Sequence, residues 1–354
     1  MLAACLHNLN PVILHITGAW AVRWYGIAYL TGFAVGWWLL RWCSKRGLTR
    51  LTLLQVGDLV MFAVAGVVLG GRLGYVLFYQ PSLVWTFSDT VPWWGVLMIQ
   101  KGGMSSHGGM IGVILAGAWW YRRLGQEQSG ENTPRVGVLH VLDLLALACT
   151  PGLMFGRLAN FVNGELLGRI VALPGQPAPW WAVKYPQELM SGHDPAAEKL
   201  LTPEAAAQRE QSLRSLLDQV VRPGDDREQA IQRLIERVQH GSRELTAQLD
   251  PLISARHPSQ LYQAAAEGLV LFLVLFFIWR RPRKPGVIGA WFLIAYGVMR
   301  VLTEFVRLED VGDPLILGLH RGQWLSVAMV AVGAIGLALV VRRPVPKLGG
   351  WGVA

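Results

Sequence analysis

Residues 261–279 read LYQAAAEGLVLFLVLFFIW, and the second half of this stretch contains only apolar side chains. A helix needs about 20 predominantly apolar residues to cross the hydrocarbon core of a bilayer. A helix also pairs its backbone polar groups internally, which matters because the membrane interior offers them no hydrogen-bonding partners. The stretch therefore predicts a membrane-spanning helix and places the chain among integral membrane proteins.

Six further apolar stretches extend this interpretation along the chain. Of the 354 residues, 53% are hydrophobic and only 16% are charged, whereas about a quarter of the residues of soluble domains are charged. The predicted fold class is an all-α integral membrane protein with about seven transmembrane helices. The predicted spans are residues 24–43, 58–79, 103–121, 136–155, 261–279, 286–305 and 323–341.

Basic residues mark every second loop between the predicted spans. The segments RWCSKRGLTR, YRRLG, RRPRKP and VRRPVPK follow the first, third, fifth and seventh spans, and the short loops between them carry few Lys or Arg. Cytoplasmic loops of membrane proteins are enriched in Lys and Arg. We therefore expect the N terminus outside and the C terminus inside.

Residues 186–256 differ from the rest of the chain because they are polar and rich in charge. Apolar side chains recur there at helical spacing on both sides of the breaker RPGDD, namely Leu213, Leu216, Leu217, Val220, Val221, Ile231, Leu234, Ile235 and Val238. The pattern predicts an extramembrane helical hairpin, whose nearly balanced charge makes it a poor binder of nucleic acid or anionic lipid. The predicted divisions are a membrane core with the start of an outer head region (1–185), this insert (186–256) and the remaining membrane core (257–354).

A polar motif follows the fourth predicted span, where residues 156–169 read GRLANFVNGELLGR. Ionised side chains near a bilayer are costly and are usually kept for a function. Polar side chains also mark the outer ends of other spans, in WYG around Tyr25, GGMSSHGG around His107, RHPSQLYQ at 256–263 and RVLTEFVR at 300–307. The predicted topology brings these groups to one membrane depth. Helical spacing also allows Glu304 to pair with the arginines on either side of it.

Each of these polar residues has an ordinary structural interpretation. A lone arginine at a helix end is often an interfacial anchor, His107 can be a hydrogen-bonded cavity residue, and Asn160 and Asn163 can join helices. Taken together they favour a site for a phospholipid headgroup, because arginine donates bidentate hydrogen bonds and keeps its charge. The alternative is a membrane transporter or flippase for an anionic lipid or solute. Clustering at one rim disfavours that alternative.

Six stretches, in this order, resemble the prolipoprotein diacylglyceryl transferase family: WYGIAYLTGF, GGRLGYVLFY, GGMSSHGGMIG, GRLANFVNGELLGR, RHPSQLYQ and GVMRVLTEFVR. They cover most of the chain outside residues 186–255. The resemblance implies a multi-pass enzyme of the bacterial plasma (inner) membrane whose active site faces outward. Such enzymes transfer the diacylglyceryl group of phosphatidylglycerol to the lipobox cysteine thiol of a preprolipoprotein, which forms a thioether and releases glycerol phosphate.

The resemblance also implies partners and site residues. Phosphatidylglycerol, lipobox peptides and membrane lipids are the implied partners, and we expect no cofactor, metal or nucleic acid, because the transferred group arrives activated on the lipid. The implied catalytic residues are His107, Arg300 and Glu304. The implied substrate-binding residues are Arg157, Asn160, Asn163, Glu165, Tyr25 and Tyr262. The sequence departs from the family pattern at Gln263, where Glu is common, and Glu267 follows one turn later.

The chemistry of this reaction suits these residue types. A thiol with a pKa of about 8.5 is only slightly ionised near neutral pH, so a base or a positive field is needed to form the thiolate. His107 is the candidate base, and Arg157 and Arg300 are candidates for holding the phosphate. The sequence leaves open which arginine binds the lipid and which stabilises the leaving group.

Overall fold

Helices form most of the molecule in the computed structural model, which describes residues 4–17, 20–89, 91–99, 102–127, 136–190, 200–308 and 317–352. In chain order the helices are α1 (Trp24–Lys45), α2 (Leu53–Phe78), α3 (Ser106–Glu127), α4 (Val138–Asn163), α5 (Pro203–Asp218), α6 (Arg227–Gln239), α7 (Arg243–Leu249), α8 (Ser259–Ile278), α9 (Val287–Glu304) and α10 (Arg321–Arg342). Each predicted span coincides with one of these helices.

Five of the described helices, α2, α4, α8, α9 and α10, are long and apolar enough to cross a membrane. The helices α1 and α3 also coincide with predicted spans and have 22 residues each, but they are not among these five. Their sequences contain WYG, GWW and WWYRR, and Trp and Tyr are residues of the membrane interface rather than of its centre. The molecule is therefore a mostly helical, multi-pass membrane protein.

Helix α4 is longer than the predicted fourth span and includes the start of the polar motif. It continues through Pro151 and ends at Asn163, so Arg157 and Asn160 lie within the helix rather than beyond its end. Membrane helices tolerate proline because neighbouring groups can satisfy the freed backbone atoms. Gly164 closes the helix in the left-handed conformation, with φ 67°, which glycine adopts without steric cost. The helix thus holds the motif's first polar side chains in fixed relative positions.

Glycine residues allow α2 and α3 to pack with their backbones in close contact. Gly66, Gly70 and Gly74 of α2 face Gly108 and Gly112 of α3. A Cβ atom at Gly112 would overlap the carbonyl oxygen of Gly66, and one at Gly70 would overlap that of Gly108. Small residues at such positions are typical of helix pairs in membranes, where close packing rather than water exclusion holds helices together.

Buried apolar side chains concentrate at the end of the bundle opposite the polar motif. They come from the C-terminal halves of α1, α3 and α8 and from the N-terminal halves of α2, α4 and α9. Members of this core include Leu40, Val56, Leu124, Leu144, Leu147, Leu271, Leu275 and Ile288. The other end of the bundle is consequently left for the polar side chains described below.

Two small β-sheets accompany the helices, and the sequence did not predict them. The strands β1 (Cys5–Leu6), β5 (Val183–Lys184), β6 (Ala255–Arg256) and β4 (Ile170–Ala172) form a mixed sheet in that order, with β1 and β5 parallel and the other pairs antiparallel. The strands β2 (Val12–Thr17) and β3 (Trp20–Arg23) form an antiparallel hairpin. The strands of the mixed sheet, with two or three residues each, are too short to show the alternation of apolar and polar side chains that identifies a strand.

Residues 203–249 form three helices, α5, α6 and α7, where the sequence predicted a hairpin of two. The apolar residues at helical spacing are buried except Val221, which follows the end of α5 and is 45% exposed. They pack on each other and on Leu6, Leu189 and Leu252, apart from the core of the membrane helices. This segment therefore has an apolar core of its own.

Candidate active site

Glu267 of α8 is fully buried and joins α8 to α4 and α9. Its Oε2 atom accepts hydrogen bonds from Nε and Nη2 of Arg157 at 3.3 and 3.0 Å. Its Oε1 atom accepts from Nη1 of Arg300 at 3.3 Å and from the Thr303 hydroxyl at 2.9 Å. Burying a carboxylate is very costly unless it is paired and hydrogen-bonded. The hydrogen bonds from Arg157 on α4 and from Arg300 and Thr303 on α9 provide this compensation for Glu267.

The charged groups continue along α9 and form a single network. Nη2 of Arg300 lies 3.0 Å from Oε2 of Glu304, and Nη1 of Arg307 lies 3.2 Å from Oε1 of the same carboxylate. The prediction that Glu304 pairs with a neighbouring arginine is thus confirmed, and it pairs with both. Helix α9 ends at Glu304, so Arg307 contributes from the turn that follows. We refer to Arg157, Glu267, Arg300, Glu304 and Arg307 as the ion-pair network.

Helix α8 departs from regular α-helical geometry at the point where it enters this network. Ala264–Val270 form a π-helical segment with Glu267 at its centre, and such segments are rare and frequent at functional sites. Gln263 is also fully buried, and its side-chain amide atoms have no hydrogen-bond partner among the described residues. Glu267 is not one of the residues predicted for the site from the sequence. The sequence does contain a sign of its importance, because Glu267 is an ionisable side chain inside a predicted span. Such a residue is a candidate for a functional role.

A second polar cluster adjoins the network at the end of α4. The Glu165 carboxylate accepts hydrogen bonds from Nδ2 of Asn160 and from Nδ2 of Asn163, both at 3.0 Å. Tyr25, at the start of α1, also interacts electrostatically with Asn160 and Glu165. Because Asn160 lies one helical turn after Arg157, the cluster and the network are neighbours. Five of the six predicted substrate-binding residues are thus close together.

Tyr262, the sixth predicted substrate-binding residue, contacts a different group of side chains. The ring of Tyr262 packs edge-on against His257, with ring centroids 6.0 Å apart, and His257 stacks on Trp181 at 5.1 Å. Burial lowers the pKa of His257, which favours its neutral form. His107 lies in the first turn of α3, and its side chain lies outside the described part of the structure.

Arg72 of α2 fastens the chain segment that leads into α3. Its guanidinium group is buried and donates four hydrogen bonds of 2.7 to 2.9 Å to backbone carbonyl oxygens. The acceptors are Gly95, Val96, Gly102 and Gly103. The backbone that precedes His107 is therefore attached to α2.

Buried hydrogen bonds also attach the loop after α4 to the start of α8. Nε2 of Gln260 donates to the carbonyl oxygen of Glu165, and the Ser259 hydroxyl donates to that of Leu166 at 2.8 Å. The Tyr185 hydroxyl donates to Oε1 of Gln260 at 3.1 Å. Burial raises the pKa of Tyr185, so the phenol remains a donor. The motif residues beyond α4 are therefore held by the neighbouring RHPSQLYQ segment.

Within the insert, Glu188 links the three-helix segment of residues 203–249 to the sheet beside the membrane helices. Its carboxylate pairs with Nη2 of Arg209 on α5 at 3.1 Å and with Nε of Arg256 on β6 at 2.9 Å. It also accepts a hydrogen bond from the backbone nitrogen of Ser254 at 2.9 Å. Glu188 and Arg256 are almost completely buried. The insert is thus connected to the rest of the molecule through a buried ion pair.

The apolar helices and the buried ion-pair network define a multi-pass membrane protein that keeps ionised side chains among its helices. A family model described as prolipoprotein diacylglyceryl transferase matches residues 11–339. The chain belongs to this family, as the six quoted stretches predicted.

Similar curated proteins cover nearly the whole chain. The phosphatidylglycerol–prolipoprotein diacylglyceryl transferase of Bdellovibrio bacteriovorus is 41% identical over 98% of this chain and 97% of its own length. The proteins of the same name from Chromobacterium violaceum and Rhodospirillum rubrum are each 36% identical, over 95% and 96% of this chain and 97% and 94% of their own lengths. These relatives are transferases by name, which favours the enzyme over the transporter considered from the sequence.

Proposed function

We propose that the protein transfers the diacylglyceryl group of phosphatidylglycerol to the lipobox cysteine of preprolipoproteins, with formation of a thioether and release of glycerol phosphate. The observation that carries this proposal is the convergence of Arg157 and Arg300 on one buried carboxylate between three helices. Guanidinium groups held in fixed positions suit a phosphodiester, because each can donate two parallel hydrogen bonds. The names of the relatives support the same reaction.

In this proposal the lipid headgroup binds where the ion-pair network and the second polar cluster adjoin. Arg157 and Arg300 hold the phosphate. Asn160, Asn163, Glu165, Tyr25 and Tyr262 surround the glycerol groups of the lipid. Asparagine amides and a tyrosine hydroxyl both donate and accept hydrogen bonds, which suits hydroxyl groups.

The proposed chemical step is a substitution at the diacylglyceryl carbon that bears the phosphate oxygen. His107 accepts the proton of the cysteine thiol, and the sulfur then forms a bond to that carbon. The carbon–oxygen bond breaks, and its electron pair leaves on the phosphate oxygen as glycerol phosphate. Arg300, oriented by Glu304, stabilises the departing charge. The lipid supplies the activated group, so the residues of the chain and the two substrates suffice.

The proposed topology has seven spans, with the N terminus outside and the C terminus inside the bacterial plasma (inner) membrane. Basic residues at or just after the ends of α1, α8 and α10, such as Arg46, Arg281 and Arg343, support this orientation. The polar motif at the other end of α4 then faces outward. The alternation of basic and non-basic loops is the main support for including α1 and α3 among the spans.

The test combines the purified full-length protein with phosphatidylglycerol vesicles and a synthetic lipobox peptide. We expect a diacylglyceryl thioether on the peptide cysteine and an equal amount of glycerol phosphate. A peptide with serine in place of the lipobox cysteine is the matched control, because an alcohol ionises far less readily than a thiol. Movement of phosphatidylglycerol between leaflets without thioether formation would instead identify a lipid transporter.

A further inference from the structure

Glu267 places a negative charge beside both arginines of the proposed phosphate site. One of its carboxylate oxygens is held by Arg157 and the other by Arg300 and Thr303. Because both oxygens are held, the carboxylate stays within about 7 Å of any phosphate that contacts the same two guanidinium groups. An anion bound there is therefore attracted by the arginines and repelled by Glu267.

The effect of this repulsion depends on the charge of the ion-pair network and on the charge of the ligand. The ion-pair network contains three guanidinium groups and two carboxylates, so it carries one net positive charge when all are ionised. A phosphodiester such as phosphatidylglycerol carries one negative charge, whereas a phosphomonoester has a second pKa of about 6 and carries nearly two at pH 7. The diester neutralises the network, and the monoester leaves it with an excess of negative charge, to which Glu165 of the adjoining cluster adds.

We infer that Glu267 sets the charge selectivity of this site, because it disfavours the doubly charged phosphomonoester product relative to the singly charged phosphodiester substrate and so promotes release of glycerol phosphate. The inference rests on the proposed function, which supplies both ligands. Glu267 is a positioning residue in this account, since it acts through Arg157 and Arg300. Without its charge, the product competes with the lipid for the same two arginines.

The dissociation constant of the monoester, divided by that of the diester, distinguishes this electrostatic role of Glu267 from a purely structural one. Two unit charges about 6–7 Å apart, at an effective dielectric constant of about 20, change an equilibrium constant by roughly 10- to 100-fold. Removal of the Glu267 charge therefore strengthens the binding of a ligand by this roughly 10- to 100-fold factor once for each negative charge that the ligand carries. The dianion therefore gains one factor more than the monoanion, whereas a disturbed arginine geometry weakens both ligands together.

The experiment compares the full-length wild type with Glu267→Gln in lipid nanodiscs by calorimetric titration. The probes are glycerophosphoglycerol, a singly charged diester, and glycerol phosphate, a monoester that is doubly charged at about pH 8. We expect the dissociation constant of the monoester, divided by that of the diester, to fall by roughly 10- to 100-fold in Glu267→Gln. At about pH 5 the monoester carries one charge, so the shift should largely disappear. Inhibition of the transferase reaction by glycerol phosphate should become stronger in parallel.

Two control variants separate the charge of Glu267 from its contacts and from the net charge of the protein. Thr303→Val removes a hydrogen bond to Glu267 but leaves its charge, and Glu210→Gln removes a carboxylate on α5 outside the network. Both should keep the wild-type ratio.

An unchanged ratio in Glu267→Gln, or no measurable binding of either probe to the wild type, overturns the inference. If the transferase assay fails while the ratio shifts, the proposed function falls and the charge selectivity of the site stands. If transfer proceeds and the ratio does not shift, only the inference falls.

Discussion

Arg157 and Arg300 are the residues on which the proposed reaction depends most directly. Lysine keeps the positive charge at either position but loses the planar fork that can contact Glu267 and a phosphate together. A lost charged hydrogen bond in a partly dry site costs about 2–4 kcal/mol. We therefore expect Arg157→Lys and Arg300→Lys to slow thioether formation by roughly 30- to 1000-fold, measured as initial rates with phosphatidylglycerol vesicles. Arg214→Lys, on the exposed face of α5, is the control, and near-normal rates in both site variants would contradict the phosphate-binding role.

His107 can be tested as the thiol base through the pH dependence of the rate. Glutamine at this position keeps a hydrogen-bonding side chain but removes its basicity. We expect the deficit of His107→Gln relative to the wild type to be largest near pH 6 and to shrink toward pH 9.5, because the thiol, with a pKa of about 8.5, ionises unaided there. The measurement is the initial rate of thioether formation across that range. A deficit that stays constant with pH would assign His107 a positioning role instead.

The sequence identified the polar residues that share a helix and missed the one that joins three helices. Arg300 and Glu304 are spaced to meet on one helix, so their pairing could be predicted from spacing alone. Glu267 meets Arg157 and Arg300 from two other helices, and sequence spacing carries no information about contacts between helices. The position of the charged network could thus be predicted, but not the residue at its centre.

At the scale of elements, the close packing of α2 on α3 gives a prediction about stability. A methyl group at Gly112 would overlap the backbone of α2. A methyl group at Gly117, on the same helix, would meet open space. We expect Gly112→Ala to destabilise the protein by about 1–3 kcal/mol, because the two backbones must separate. Gly117→Ala should have no such cost and should gain helix propensity. Thermal unfolding in detergent measures both, and equal midpoints would contradict the close contact.

The contact between α5 and α6 predicts a pH-dependent stability for the insert. Glu210 of α5 pairs with Arg227 of α6, and this hydrogen bond is the main cause that lowers the pKa of Glu210 from 4.5 to about 2. A carboxyl group with a lower pKa in the folded state stabilises the fold above its unfolded pKa, and that stabilisation is lost as the pH falls from about 4.5 to about 2.

The pair is partly exposed, so the effect should be below about 1 kcal/mol. We expect Glu210→Gln to remove this part of the acid sensitivity. Hydrogen exchange of the α5 and α6 amides, corrected for the intrinsic pH dependence of exchange, is the measurement. The same acid sensitivity in the variant and the wild type would contradict it.

The apolar stretches of the sequence located the described helices α1, α2, α3, α4, α8, α9 and α10. The predicted fourth span ends at residue 155, and the helix α4 that contains it continues to Asn163. The short strands β1, β5 and β6 and the π-helical segment of α8 could not be predicted. Their conformations depend on neighbours that are distant in sequence, such as the pairing of β5 with β6.

At the scale of the whole molecule, the insert should be dispensable for the chemical step. Its apolar core is separate from that of the membrane helices, and its main buried link is the pair between Arg209 and Glu188. We expect replacement of residues 203–249 by a short Gly/Ser linker to leave most of the transferase rate, because Glu188 keeps its partner Arg256. The initial rate of the purified variant measures this. Loss of transfer in a variant that still inserts and folds would assign the insert a direct role.

In the proposed topology, the length of α4 sets the depth at which we expect the reaction to take place. Its 26 residues span about 39 Å, whereas the hydrocarbon core measures about 30 Å. With Val138 at the inner edge of that core, an upright α4 extends past the outer edge by about 9 Å, which is the rise from Arg157 to Asn163. In this orientation the backbone of Arg157 lies near the outer edge of the hydrocarbon core, next to the layer of lipid phosphates. We therefore expect the donor lipid to react without leaving its leaflet, and the acceptor cysteine to meet it at the membrane surface.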